Sequence, residues 1–209
     1  MNEIIENMKT RRSIRKFKSD ALPQDVLDRI LDAGTYAPTG MAAQSPVIIA
    51  VTNKELRDKL SAMNAKIMGK PEDFDPFYNA PVVLVVLADK SRPTHVYDGS
   101  LVMGNLMLAA HSEGIGSCWI HRAKETFESE EGKNILKELG ITGDYEGIGN
   151  CVLGYADGDE PKAHPIKDNY VYYVQINIYR NIKKVNIESF PQYSNIRLNF
   201  MKSGCRYNN

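Results

Sequence analysis

Six basic residues and no acidic one lie between Lys9 and Lys18, and the densest part reads TRRSIRKF (10–17). Basic runs are usually solvated surface. This one also carries Ile14 and Phe17, apolar residues that tie it to a core, and three of its charges are arginine. The planar guanidinium fork contacts phosphate in two places where an ammonium makes a point contact, and Ser13 adds a hydroxyl donor. The chemistry implied is the binding of one phosphate monoester. A nucleic-acid arm would carry more charge and a second basic patch, in a chain with a basic excess. This chain of 209 residues balances 26 Lys and Arg against 26 Asp and Glu.

Two other stretches have compositions suited to a ligand. YAPTGMAAQSP (36–46) combines a glycine and small side chains with the polar Thr39 and Gln44, so its backbone can approach a flat molecule closely. EGIGSCWIHRAKE (113–125) places two glycines before a short apolar run ending in His121 and Arg122. Its GxG lacks the third glycine of a dinucleotide-binding turn, so that assignment is rejected. The four histidines are scattered, with no metal-ligand spacing to Cys or carboxylate. His111, ending an apolar helical stretch, reads as a packing or capping residue. Trp119 reads as core, Cys118 and Cys151 as small hydrophobes, and Asp98 and Asp144 as caps or surface groups. No side-chain nucleophile and no catalytic triad is nominated.

The elements that must position these stretches follow from periodicity. Asn2 is expected to cap a short helix with Ile4, Ile5 and Met8 on one stripe. A second helix is expected from about Pro23, burying Val26, Leu27, Ile30 and Leu31 and closing at Gly34. Thr35–Pro46 reads as loop, Val47–Val51 as a strand, and Leu56, Leu60, Met63 and Ile67 as one helix face. PVVLVVLA (81–88) predicts a central strand covered on both faces. A largely apolar helix is expected over 98–113, strands at Ser117–His121 and Gly147–Ala156, and one helix from Glu125 to Leu139. Helices interspersed with strands around one sheet make an α+β or α/β layered domain.

No apolar run approaches the ~20 residues of a membrane span, and Glu3 and Glu6 interrupt any export signal. Three cysteines, Cys118, Cys151 and Cys205, do not make a complete disulfide framework, so a cytoplasmic protein is expected. Residues 175–209 carry six Lys or Arg against the single acid Glu188, and seven asparagines.

These stretches, in this order, resemble the nitroreductase family of FMN-dependent NAD(P)H oxidoreductases. RRSIRKF (11–17) is similar to the family's opening basic motif, and APTGMAAQSP (37–46) to its Ala-Pro-Ser-Gly-x-x-x-Gln-Pro loop. YDGSLVMGNLMLAAHSEGIGSCWI (97–120) resembles its long central helix and following turn, and CVLGYADGDEPKA (151–163) its last core strand and exit loop. The likeness runs from about Ile4 to Val174.

The resemblance implies an α+β three-layer fold, a central mixed and mainly antiparallel sheet flanked by helices, and an intertwined homodimer with FMN at the interface. It implies one FMN-binding domain over 1–174 and a C-terminal extension, 175–209, that crosses to the partner. Arg11, Arg12, Ser13 and Arg15 would hold the flavin phosphate and ribityl chain and reach its pyrimidine edge. Pro38, Thr39 and Gly40 would approach from the other subunit, with Gln44 as a polar contact. The backbone of Ile120, His121 and Arg122 would lie beside the ring, where an amide can address N5. Where the family often has an Arg-Lys pair completing the phosphate site, this chain has Ile166 and Lys167. The implied reaction is ping-pong hydride transfer from NADPH or NADH through flavin N5 to a nitroaromatic, quinone or similar small acceptor, with no metal. A flavin-binding or flavin-sequestering protein of the same fold is the alternative reading.

Overall fold

Every side chain of Val82–Ala88 is buried, so this strand has no face to offer water. It forms the core of β2 (Val82–Asp89), flanked by β1 (Pro46–Val51) on one side and β4 (Tyr145–Gly154) on the other. β3 (Gly116–Ile120) pairs with β4 and completes the order β1-β2-β4-β3, with all three pairings antiparallel. Among the described residues the one parallel element is an isolated bridge between Ser13 and Ser117, which is where the sheet's expected mixed character is seen. The computed structural model describes residues 2–71 and 73–173. The expected extension over 175–209, with Cys205, lies outside them.

Because side chains alternate across a strand, β2 feeds two cores. Val83, Val85 and Leu87 pack with Leu60 and Met63 of α3 (Lys54–Ile67), Phe127 of α5 (Ala123–Glu128), and Ile135 and Leu136 of α6 (Glu130–Glu138). Val82, Leu84, Val86 and Ala88 pack with Leu27 and Ile30 of α2 (Gln24–Thr35) and with Val102, Met103, Leu106 and Ala110 of α4 (His95–Ser112). Burying each such aliphatic side chain is worth about 1.5–3 kcal/mol relative to leaving it in water. Helices on both faces of a sheet make the three layers. The chain divides into two compact units, the first ending at Ala163 and the second starting at His164. The second is described only through residue 173, with a short 3-10 turn at Asp168–Tyr170.

α1 (Glu3–Thr10) begins as expected, with the Asn2 side chain accepting from the Ile4 and Ile5 amides. Its apolar stripe is exposed: Ile4, Ile5 and Met8 are 68%, 52% and 57% accessible. The Thr10 hydroxyl and His111 Nε2 lie 2.9 Å apart, which ties α1 to the end of α4 and gives His111 the packing role expected of it.

Three expectations need correction. The single helix over 125–139 is two, because Ser129 is extended (φ −70°, ψ 156°) and its hydroxyl caps α6 by accepting from the Gly132 amide. The corner is so tight that a Cβ on Gly132 would lie 2.1 Å from the Thr126 carbonyl oxygen. Gly34 does not terminate α2; it is buried inside the last turn, against Leu106 and Ile48. Asp98 is neither cap nor surface group but is 2% exposed. Its carboxylate accepts from the Gly40 amide at 2.9 Å, the Ser45 hydroxyl at 2.9 Å and the Thr94 hydroxyl at 3.1 Å. It therefore fastens the loop before β1 to the first turn of α4.

Burial pushes the Asp98 carboxyl up, but the Gly40 amide and the Ser45 and Thr94 hydroxyls outweigh it and hold the group below its ordinary range. A depressed folded-state pKa stabilises the fold above the unfolded carboxylate value, about 3.9, and that contribution disappears as pH falls through the folded value. Asp98→Asn is expected to lower stability by about 1.5–3 kcal/mol at pH 7, the scale of hydrogen bonds to a charged group. In urea titrations the gap between wild type and variant should close as pH drops below about 4. A gap that stays constant to pH 3 would contradict this role.

Candidate functional site

The basic segment leaves α1 and runs along the outer edge of β3. The Ile14 amide donates to the Ser117 carbonyl at 2.9 Å, while Ile14 and Phe17 are buried in the first core. The anchoring inferred from those two apolar residues is thus present, and it aligns the arginines along an edge. Their side chains differ in role. Arg12 turns back, donating from Nη1 to the carbonyls of Lys9 and Arg11 at 2.7 Å each, so it closes the end of α1. Arg11 Nη1 is inaccessible to solvent and has no hydrogen-bond partner among the described residues, and the buried Ser117 hydroxyl is in the same condition. Leaving such a donor unsatisfied costs ~1–3 kcal/mol, more for a charged group. Arg15 is exposed and lines a cavity of about 190 Å³.

Ile120, His121 and Arg122 also line that cavity, together with Trp119. Trp119 therefore packs against the second core while also facing the cavity, a dual position that its composition as a core aromatic did not reveal. A further wall comes from Phe74, Pro76 and Tyr78. That segment is held by Asp75, which accepts from Arg57 Nη2 at 2.5 Å, the Ser61 hydroxyl at 2.6 Å, and the Phe77 and Asn79 amides at 2.9 and 2.6 Å. Arg57 also donates to the Ala80 carbonyl. Tyr78 and Arg122 of this lining, and Asn79 next to Tyr78, have positive φ (56°, 74° and 57°), a conformation costing of order 1–3 kcal/mol for each non-glycine residue. Cys118 and Cys151 are buried, and burial pushes the Cys151 thiol up to about 12, which leaves it without nucleophilic character at neutral pH.

The loop 36–46 is not part of this cavity. Thr39 and Gln44 line a different one, of about 580 Å³, between α2, α4 and β1. Met41, Ala42 and Gln44 have φ of 54°, 54° and 48°, and Met41 is fully exposed. The Gln44 amide donates to the Thr39 hydroxyl, and Gly40 sits so close to Thr94 that a Cβ would lie 2.4 Å from its Oγ1. Pro38 is exposed beside them. Strain concentrated in a loop clamped by Asp98 marks a backbone shaped for contact. The loop enters β1, one edge of the sheet, whereas the cavity lies at β3, the other edge. Three strand spacings of ~4.8 Å separate those edges, about 14 Å.

The sites inferred from sequence thus fall into two groups within one chain. Arg11, Ser13, Arg15, Ile120, His121 and Arg122 gather at the β3 edge, and Pro38, Thr39, Gly40 and Gln44 at the β1 edge. Lys167 belongs to the second unit, where its ammonium lies 5.8 Å from the centre of the Tyr170 ring and the neighbouring Ile166 is exposed. The structure adds Asp98, read from sequence as a cap or surface group, and three residues that composition did not single out, Asn64, Asn150 and Asp75. The last three are polar groups at inward positions of α3, β4 and the loop before β2, and all four support backbone that faces a cavity.

Among the described residues no helix is long and apolar enough to cross a membrane. Residues 8–155 match the model of the nitroreductase family. A candidate NADH dehydrogenase/NAD(P)H nitroreductase of Methanothermobacter thermautotrophicus is 34% identical over 122 residues, covering 56% of this chain and 60% of that protein. The chain thus spans less than two thirds of that relative's length. The crystal structure of a nitroreductase with bound FMN from Bacteroides fragilis superposes with a TM-score of 0.76 at 30% identity, covering 84% of this chain and all of that one. A nitroreductase with bound FMN from Desulfitobacterium hafniense gives 0.74 at 28% identity, again covering 84% of this chain and all of that one. With the motifs, the layered α+β fold and the family model in agreement over most of its length, this chain belongs to the nitroreductase family.

Proposed function

We propose that the chain is an FMN-dependent oxidoreductase that works as a homodimer, taking hydride from NADPH or NADH and passing it to a nitroaromatic, quinone or similar small acceptor. The observation that carries this reading is the Arg11 Nη1 donor, inaccessible and without a partner among the described residues, on a half-buried arginine whose segment is pinned to the β3 edge. A phosphate monoester satisfies that donor, with Ser13 and Arg15 on the same segment. The likeness to two family members with bound FMN supports the flavin as its bearer.

A bound flavin would supply the hydride chemistry at N5, and the protein's part would be to bind it, orient it and tune its charge. In this reading Arg11, Ser13 and Arg15 hold the phosphate and ribityl end, and Ile120–Arg122 flank the ring. Positive charge from this segment at the pyrimidine edge would favour negative charge developing there. Trp119, Phe74 and Tyr78 restrict water at the cavity. Arg12, committed to the end of α1, orients the segment and leaves the phosphate to its neighbours. Lys167 is retained as a phosphate ligand on the resemblance alone.

A second copy completes the site. The strained 38–44 loop and the β3 cavity lie at opposite sheet edges, so a loop from a partner reaches the flavin where the chain's own does not. The exposed Ile4, Ile5 and Met8 of α1, Tyr97 and Leu101 of α4, and Met41 supply apolar surface for that contact.

Arg11→Ala/Arg15→Ala is expected to weaken FMN binding at least about a hundredfold, the loss of two charge-assisted contacts; fluorescence titration with unchanged affinity would refute the phosphate role. Mixing that variant with Gly40→Val should restore FMN to about one site per mixed dimer, because each such dimer pairs one intact segment with one intact loop. No recovery would mean that both halves act within one chain. Anaerobic NADPH or NADH should bleach the oxidised-flavin spectrum of the purified protein. Retained colour with both donors would instead favour a flavin-sequestering role.

A further inference from the structure

The carbonyl of His121 is held from inside the protein by two amides. Asn64 of α3 donates from Nδ2 at 2.9 Å and Asn150 of β4 from Nδ2 at 3.4 Å. Both residues are buried, at 0% and 2% exposure. One residue on, the Arg122 carbonyl accepts from the Thr126 amide and hydroxyl at 3.1 and 2.8 Å. With both flanking carbonyls fixed, Arg122 is locked at φ 74°, ψ 15°.

A trans peptide is planar, and its C=O and N–H point in opposite directions. The His121–Arg122 peptide directs its carbonyl toward Asn64 and Asn150, so the Arg122 N–H points away from them. His121 and Arg122 themselves line the β3 cavity. Among the described residues, that N–H has no protein acceptor.

Asn64 is poorly explained as a stabilising residue. Its Oδ1 is buried and has no partner among the described residues, an unfavourable condition for a polar atom. An apolar side chain of similar size would avoid that cost and forfeit only the bond to His121. An amide kept at such a position points to a task for its Nδ2.

We infer that Asn64 and Asn150 are positioning residues that aim the Arg122 backbone N–H into the cavity as a hydrogen-bond donor to N5 of the bound flavin. This deepens the FMN reading and rests on it. The oxidised flavin presents N5 as an acceptor, whereas two-electron reduction places a hydrogen there. A fixed donor therefore favours the oxidised form and lowers the two-electron potential.

The test uses the full-length protein and FMN. In Asn64→Leu the phosphate contacts are untouched, so FMN should still bind. The ratio of affinities for oxidised and reduced FMN should fall about tenfold, raising the midpoint potential by about 30 mV for a two-electron couple. The thermal midpoint of the FMN-free variant should stay within about 3 °C of wild type. Asn150→Ser should shift the potential in the same direction by a smaller amount, since its bond is longer. A bound flavin with unchanged potential in both variants would overturn the inference.

Wild-type protein provides a measurement that does not depend on how the variants fold. The Arg122 amide proton, assigned by NMR, should move downfield when FMN is added. A wild type that binds FMN with this resonance unmoved overturns the inference and leaves the FMN reading intact. A wild type that does not bind FMN overturns both.

Discussion

A β-strand that is apolar on both faces has to be covered twice, and β2 is such a strand from Val82 to Ala88. The architecture of the first unit follows from that constraint. Its two sets of alternating side chains demand two helical layers, which α2 and α4 supply on one face and α3, α5 and α6 on the other. With both faces occupied by helices, the places left for a ligand are the edges of the sheet and the loops beside them. The site residues are found there: the basic segment against β3, and the glycine-containing loop entering β1.

Edges formed from loops need rigidity from elsewhere, and here buried polar groups supply it. Asp98 holds the 39–45 loop, Asp75 with Arg57 holds the 75–80 segment, and Asn64 with Asn150 holds the His121 carbonyl. These groups are buried or nearly so, and their recorded hydrogen bonds go to backbone or to a neighbouring polar side chain. The six non-glycine residues with positive φ fall in the three segments so held. Backbone strain and buried polar anchors therefore occur together, because a conformation costing of order 1–3 kcal/mol persists only where its surroundings over-determine it. The one unbalanced charged group in the same region is Arg11, whose donor has no counterpart within the described residues.

The sequence by itself determined the layers. Continuous apolar character at 81–88, helical periodicity in α2, α3 and α4, and the cap at Asn2 are local signals, and each of these elements formed within a few residues of its expected span. The three stretches with ligand-binding composition were legible too, because arginine clusters and glycine-bearing loops carry their chemistry in residue type. Tertiary structure decided what depends on partners distant in sequence. Asp98 reads as a helix cap until the loop 58 residues earlier folds onto it. Arg11 and Arg12 are adjacent and alike in sequence, yet Arg12 closes a helix while Arg11 Nη1 has no partner among the described residues. The division of the 125–139 helix came from contact between Gly132 and the Thr126 backbone across a corner, which periodicity does not register. Asn64 and Asn150 meet only where α3 and β4 converge on His121. Periodicity and residue type report what a segment prefers in isolation, whereas the fate of a buried polar group depends on which donor or acceptor the fold brings within 3 Å of it.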